Sequence, residues 1–297
     1  MDGILNILKP PGMTSFDVVG CLRGVTRIKK IGHTGTLDPA AVGVLPVCIG
    51  KATKAIEYLT DKDKEYRAEL ILGVITDTQD STGVILKSED VKVTNEEFEA
   101  VLREFVGEID QLPPMYSAVK IDGKRLYELA REGKTVDRPK RQVTIHSIDL
   151  VKPLSRNQDG SFRAIIDVHC TKGTYIRTLI NDIGERLSVG ACMSFLIRTA
   201  TGSFNIDDAL TLEEVSSLHK EGLLVNKLIS PDKVFQSLQE IRLDEKEQKA
   251  YLNGLLLEYS GKVGDLFRIY GGNNEFLGIG KLVLRGGKIF LKSEKQF

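Results

Sequence analysis

The sequence predicts an α+β fold: a mixed, largely antiparallel sheet with flanking helices, then a small β-rich module at the C-terminal end. Three observations carry this. Alternating runs such as Tyr66, Ala68, Leu70, Leu72 and Val74 are interleaved with stripes of helical spacing. Residues 143–151 and 162–170 read as paired strands joined by the loop 155–160, the hairpin habit of an α+β domain. Beyond Ser230-Pro231, short apolar runs divided by Gly-rich turns continue for about sixty residues, a small β pattern. Residues 1–235 therefore read as one domain, with an excursion at 107–143, and 236–297 as a second.

Each element has a local reason. Residues 4–8 form a short strand ended by Lys9-Pro10-Pro11-Gly12. Ser15 is placed as the cap of a helix with Phe16, Val19, Leu22 and Val25 on its apolar face. Residues 52–59 suit a short helix and 66–74 a strand, and 77–83 a polar bend. Thr94 and Glu97 spell a capping box before the stripe Phe98, Val101, Leu102, Phe105. Residues 107–143 hold three prolines and eight basic residues, with a short helix near 126–132. Long ordered excursions of this kind are usually functional. Thr174 is read as opening a helix faced by Ile176, Leu179, Ile180, Ile183 and Leu187, and 196–204 as returning to the sheet. Asp244 and Glu247 cap a further helix, ahead of strands near 267–270, 276–280 and 288–291.

The chain has 297 residues, 41% hydrophobic and 28% charged, the balance of a globular protein. Lacking a long apolar run and a secretory leader, it is expected in the cytoplasm, with no membrane segment. Cys21, Cys48, Cys170 and Cys192 form no C-x-x-C pair and no zinc-type spacing with histidine, so buried reduced thiols and no metal are expected. Net charge is zero, but its distribution is uneven. Residues 61–110 carry 14 acidic and 6 basic side chains, whereas 113–143 carry 4 and 8, and the first sixty carry 4 and 7. Basic segments of this sort can grip a phosphate backbone even in a neutral protein.

The chain is organised around Gly32-His33-Thr34-Gly35-Thr36-Leu37-Asp38-Pro39. Polar Gly-rich loops between regular elements tend to carry function, though Asp-Pro and Gly pairs are also ordinary turn chemistry. Pro39 stiffens the backbone at Asp38. A phosphate-binding P-loop is excluded: Gly50-Lys51 is preceded by Leu45 where the motif needs Gly and followed by Ala52 where it needs Ser or Thr. Asp38 is the sole carboxylate between Asp17 and Glu57, which counts mildly against a two-carboxylate glycosidase.

The block His33 to Pro39, followed by Gly43-Val44-Leu45-Pro46-Val47, closely resembles the catalytic loop of the tRNA pseudouridine synthase B (TruB) family. Other blocks agree in order: Asn6 to Ser15, Lys64-Glu65-Tyr66, Leu112 to Lys120, Lys172 to Arg177, and Leu196-Ile197-Arg198-Thr199. The resemblance spans roughly residues 3–230, and several blocks in register are more specific than one motif. It implies the pseudouridine synthase fold with a C-terminal PUA-like RNA-binding domain. It also implies isomerisation of uridine to pseudouridine at position 55 of the tRNA T arm, without a cofactor, by a monomer needing no protein partner. A non-catalytic RNA-binding or tRNA-folding protein on the same scaffold is the alternative.

By the same resemblance, Asp38 is the essential catalytic group, and it could attack C1′, add to C6 or remove the C2′ proton. Arg177 is its expected partner, since a guanidinium fixes a carboxylate's orientation. Tyr66 is expected to stack on the flipped uracil and to serve a proton step, though its alternation also suits a core strand residue. Tyr175 and Leu196 are candidate pocket walls. His33 could stack in the hole left by the flipped nucleotide. Lys9 and Pro10 would buttress the loop, and Lys120 in the excursion would meet RNA.

Overall fold

Strand β1 (Gly3–Lys9) leads into α1 (Ser15–Thr26), β2 (Ile31–His33) and β3 (Val42–Ile49) in the computed structural model, which describes residues 1–121 and 123–297. The α1 cap is Thr14, not Ser15: Thr14 and Asp17 form a reciprocal capping box, which frees the Ser15 hydroxyl for another partner. Val18, Val19 and Leu22 face the core, while Phe16 points outward. Residues 50–55 wind as a 3₁₀ turn before a one-turn α2 (Ile56–Thr60), so the expected helix over 52–59 is split. The strand β4 (Lys64–Leu72) buries Ala68, Leu70 and Leu72, as its alternation requires. A hairpin, β5 (Val74–Thr76) with β6 (Ile85–Ser88), precedes α3 (Asn95–Glu104), which carries the Thr94–Glu97 box.

The excursion is shorter than its composition suggested. Its ends, β7 (Gly107–Gln111) and the start of β10 (Arg141–Arg156), pair within the main sheet. Between them stand the small hairpin β8 (Lys120–Ile121) and β9 (Lys124–Arg125), and α4 (Leu126–Arg131). Then come β11 (Phe162–Cys170) and α5 (Ile176–Arg186). Thr174 bonds back to Thr171 O, and Tyr175 is the residue at the cap of α5. β12 (Ala191–Thr201) and β13 (Phe204–Asn205) close the sheet, followed by α6 (Leu212–Lys220).

The main sheet runs β1-β3-β12-β4-β11-β10-β7, with β2 added on β3 and β13 on β12. Among the described residues only β3 and β12 pair in parallel within it, so the sheet is mixed and largely antiparallel. Helices α3 and α5 cover one apolar cluster, on β4, β10, β11 and β12, and α1 packs over a second, on β1 and β3. A second sheet follows: β14 (Gln239–Arg242), the helix α7 (Glu245–Leu252), β15 (Leu257–Glu258), β16 (Leu266–Tyr270), β17 (Phe276–Arg285) and β18 (Lys288–Gln296). It runs β14-β16-β17-β18-β15 around Tyr251, Ile269, Leu282 and Leu291. Phe276 and Phe297 pack on Phe235, which meets Tyr58 of α2, and Lys54 donates to Gln296 O at 2.6 Å, fastening this β-rich part to the main sheet.

Among the described residues no helix is long and apolar enough to cross a membrane. Cys48, Cys170 and Cys192 are buried, and burial pushes the first two thiols up to about 12. Cys21 departs from expectation: it is exposed, because α1 turns its 18–19–22 face inward and leaves residue 21 outside.

Candidate active site

The Gly32–Pro39 loop hangs between β2 and β3 and is tied down by side chains from distant parts of the chain. Lys9, fully buried at the end of β1, donates its ammonium protons to Ala41 O at 2.6 Å, Pro10 O at 2.9 Å and Pro39 O at 3.1 Å. Ser15 Oγ accepts from Leu37 N at 2.9 Å. Gly12 N donates to Pro39 O, and Ala41 N to Asp38 O. Arg198 on β12, 1% exposed, donates to Val44 O at 2.7 Å and to Gly35 O at 3.2 Å. Gly35 has φ +79°, a left-handed conformation that glycine adopts without a Cβ penalty.

Asp38 leaves this scaffold with its carboxylate half exposed. Its Oδ2 lies 2.9 Å from Arg177 Nε. Arg177, on the first turn of α5, is almost fully buried. It also donates to Tyr116 O at 2.8 Å and Thr78 O at 3.1 Å, and stands 3.9 Å from Asp80. The guanidinium is thus held by the excursion and the 77–83 bend as well as by the loop, and its fork can orient a carboxylate.

Both residues line a cavity of about 640 Å³, within the range of small-molecule and cofactor pockets. It is lined by Tyr66, Tyr175, Ile176 and Leu196, and by the cationic side chains of Lys64, Lys172 and Arg141. Burial raises the Tyr66 hydroxyl's proton affinity above the tyrosine range, opposed by the neighbouring Arg198 charge. Lys64 is pulled down to about 8 by burial; it donates to the Thr60 and Lys62 carbonyls.

Of the residues singled out in the sequence, Asp38, Arg177, Tyr66, Tyr175 and Leu196 meet in this cavity. Lys9 and Pro10 lie behind the loop. His33 ends β2 and stands outside the cavity lining, with its Nδ1 buried and unbonded. Burial, with Arg198 nearby, lowers its proton affinity below the histidine range. Lys120 is exposed on the β8–β9 hairpin, away from the lining. Arg198 and Lys64 were not foreseen as site residues. They stood inside the quoted sequence blocks, and a cationic side chain in an otherwise apolar strand was the signal for Arg198.

Lys9 makes a prediction about pH. Burial lowers it from 10.5 to about 8, against the pull of Asp38. Above its folded value and below its ordinary one, the unfolded chain keeps a proton that the folded chain has lost. Stability then rises with pH across that window. Measured against Lys9→Met by denaturant titration, the parent chain should gain relative stability between pH 8 and 10.5. A flat difference would show that Lys9 keeps its ordinary affinity for protons.

A model for the TruB family pseudouridylate synthase N-terminal domain matches residues 23–176, and one for the tRNA pseudouridylate synthase B C-terminal domain matches 177–234. The chain is 47% identical to a tRNA pseudouridine synthase B of Clostridium perfringens over 296 residues, covering 97% of this chain and 98% of that one. It is 44% identical to the protein of that name from Clostridioides difficile over 307 residues and the whole of both chains. Among solved structures, it superposes on a chain of an H/ACA RNP bound to a substrate RNA containing 2′-deoxyuridine. That match has a TM-score of 0.73 and 26% identity, and covers 99% of this chain and 84% of that one. Fold and matches together define a pseudouridylate synthase. Within that class, the chain belongs to the TruB family.

Proposed function

We propose that the chain isomerises uridine 55 in the T arm of tRNA to pseudouridine, with Asp38 as the essential group. The observation that carries this is the Asp38–Arg177 pair: a half-exposed carboxylate, oriented by a buried guanidinium, facing a cavity of nucleoside scale. In the reaction the C1′–N1 bond breaks, uracil turns, and C5 bonds to C1′. C5 then loses its proton and N1 gains one, so nothing is oxidised or hydrolysed and no cofactor is required. Attack at C1′, addition to C6 and removal of the C2′ proton each need one carboxylate held in place. Tyr66, Tyr175 and Leu196 would wall the flipped base, and His33 would fill its vacated place in the stack. The names of the relatives support tRNA as substrate.

The test is tritium release from a T-arm transcript labelled at C5 of uridine, beside a transcript with cytidine at position 55. Release from the first alone is expected. Equal release from labelled uridines in the second would refute the position. Tight binding with no release from either would favour the RNA-binding reading.

The 112–140 excursion and the C-terminal sheet, which we read as PUA-like, would hold the RNA backbone. Lys120, Lys124 and Arg125 sit together on an exposed hairpin. Replacing all three by Ala should reduce the slope of log affinity against log salt by up to about 2–3, one phosphate contact per side chain. Turnover at saturating RNA should persist. An unchanged slope would show that the hairpin does not meet phosphates.

A further inference from the structure

A second cluster lies on the solvent-facing side of the main sheet, apart from Asp38. Asp63 precedes β4, His146 is on β10 and His169 on β11. His169 alternates with the buried Val168 and Cys170, so it points outward. His146 is brought beside it by a bulge: Ile145 pairs with Cys170 and Ser147 with His169, leaving His146 as the extra residue. The two rings lie 4.5 Å apart. Asp63 Oδ2 is 3.1 Å from His146 Nε2 and 4.0 Å from His169 Nε2, and all three ligand atoms fall within 4.8 Å of one another.

We propose that Asp63, His146 and His169 bind a divalent ion of the zinc class. Two imidazoles and one carboxylate suit such a borderline ion, with the fourth position left to water. Metal–ligand bonds of about 2.0–2.2 Å in a tetrahedron place ligand atoms about 3.4 Å apart, so closure needs side-chain shifts on the order of 1 Å. The backbone under Asp63 is already fixed, since its carbonyl accepts from Gly202 N at 3.0 Å. The ion would clamp three stretches of cavity wall: Asp61 and Lys64 flank Asp63, and Val143 and Lys172 lie three residues from His146 and His169. None of the three ligands lines the cavity.

The experiment is titration of the chelator-stripped full chain with Co(II), followed by visible absorption, and with Zn(II), followed by calorimetry and thermal melting. One Co(II) per chain with intense tetrahedral bands is expected. His146→Ala and His169→Ala should each weaken Zn(II) by at least about tenfold, with circular dichroism showing the folded state retained. Asp63→Asn, which keeps size and shape, should also weaken it. Cys21→Ser should leave binding unchanged, excluding capture by the exposed thiol. Absent tetrahedral bands, or equal affinity in the parent and both His variants, would overturn the site. A melting temperature unmoved by saturating Zn(II) would overturn the clamp.

Discussion

Asp38→Asn is expected to bind T-arm RNA like the parent and not to turn it over. The amide matches the carboxylate in size, and the loop's tethers do not pass through the Asp38 side chain: Lys9 holds Pro39 and Ala41, Ser15 holds Leu37, and Arg198 holds Gly35. Arg177 keeps its bonds to Tyr116 O and Thr78 O, so the guanidinium is not orphaned. What disappears is the negative charge that the proposed chemistry needs. Losses for groups that act covalently or as general base run to about 10²–10⁶-fold, so single-turnover rates should fall by at least about 10²-fold, and by about 10⁶-fold if Asp38 acts covalently. The measurement is tritium release under single turnover, with binding taken separately by filter retention. Multiple turnover by the variant would remove Asp38 from the chemistry.

Replacing Tyr66 separates its ring from its hydroxyl. The ring lines the cavity, and base–aromatic stacking contributes ~1–3 kcal/mol, which Phe keeps and Ala loses. RNA carrying a flipped base should therefore bind Tyr66→Ala about 5- to 150-fold more weakly. The hydroxyl stands beside the buried Arg198 charge, which opposes the rise that burial imposes on its proton affinity. To take the C5 proton once the new bond has formed, the hydroxyl must pass its own proton on, for example to N1 of the turned base, and the Arg198 charge favours that loss. Tyr66→Phe should then bind normally and release tritium about 10²-fold or more slowly. Near-parent rates for Phe would reject the proton step. Unimpaired binding and rate for Ala would return Tyr66 to the core.

What was legible in the sequence is what is local in physics. The Thr94–Glu97 and Asp244–Glu247 boxes cap the helices they spelled. The alternation of β4 buries Ala68, Leu70 and Leu72, though the strand read through 74 ends at Leu72 and Val74 begins β5; α5 buries Ile176, Leu179, Ile180 and Ile183, with Leu187 just past its end and half-buried. The error at α1 was also local: Asp17 is three residues after Thr14, whereas Val18 stands three after Ser15, so only Thr14 could complete a box. The Asp38 loop was legible as a loop, and Arg177 as a partner by resemblance. The rest depends on tertiary placement. Arg198 becomes a buried tether because β12 lies against β3, which residue spacing does not disclose. The Asp63–His146–His169 cluster joins residues 83 apart at its closest contact and depends on a bulge, so spacing rules for metal ligands cannot find it.

The place of β12 has a consequence for how the chain is made. The first half-sheet, β1 with β2 and β3, and the second, β4 with β11, β10 and β7, touch one another in the main sheet through β12. Gly43 fits so closely to Arg198 that a Cβ there would stand 2.2 Å from the Arg198 carbonyl oxygen. Until residues 191–201 leave the ribosome, β4 and the Val42–Gly43 end of β3 are open edges, able to pair with any strand that arrives. A nascent chain halted before Ala191 carries Asp38 and Tyr66 on separate pieces and has no Arg198 to hold the loop. It is a sticky intermediate, and RNA modification begins only once the keystone strand has been inserted.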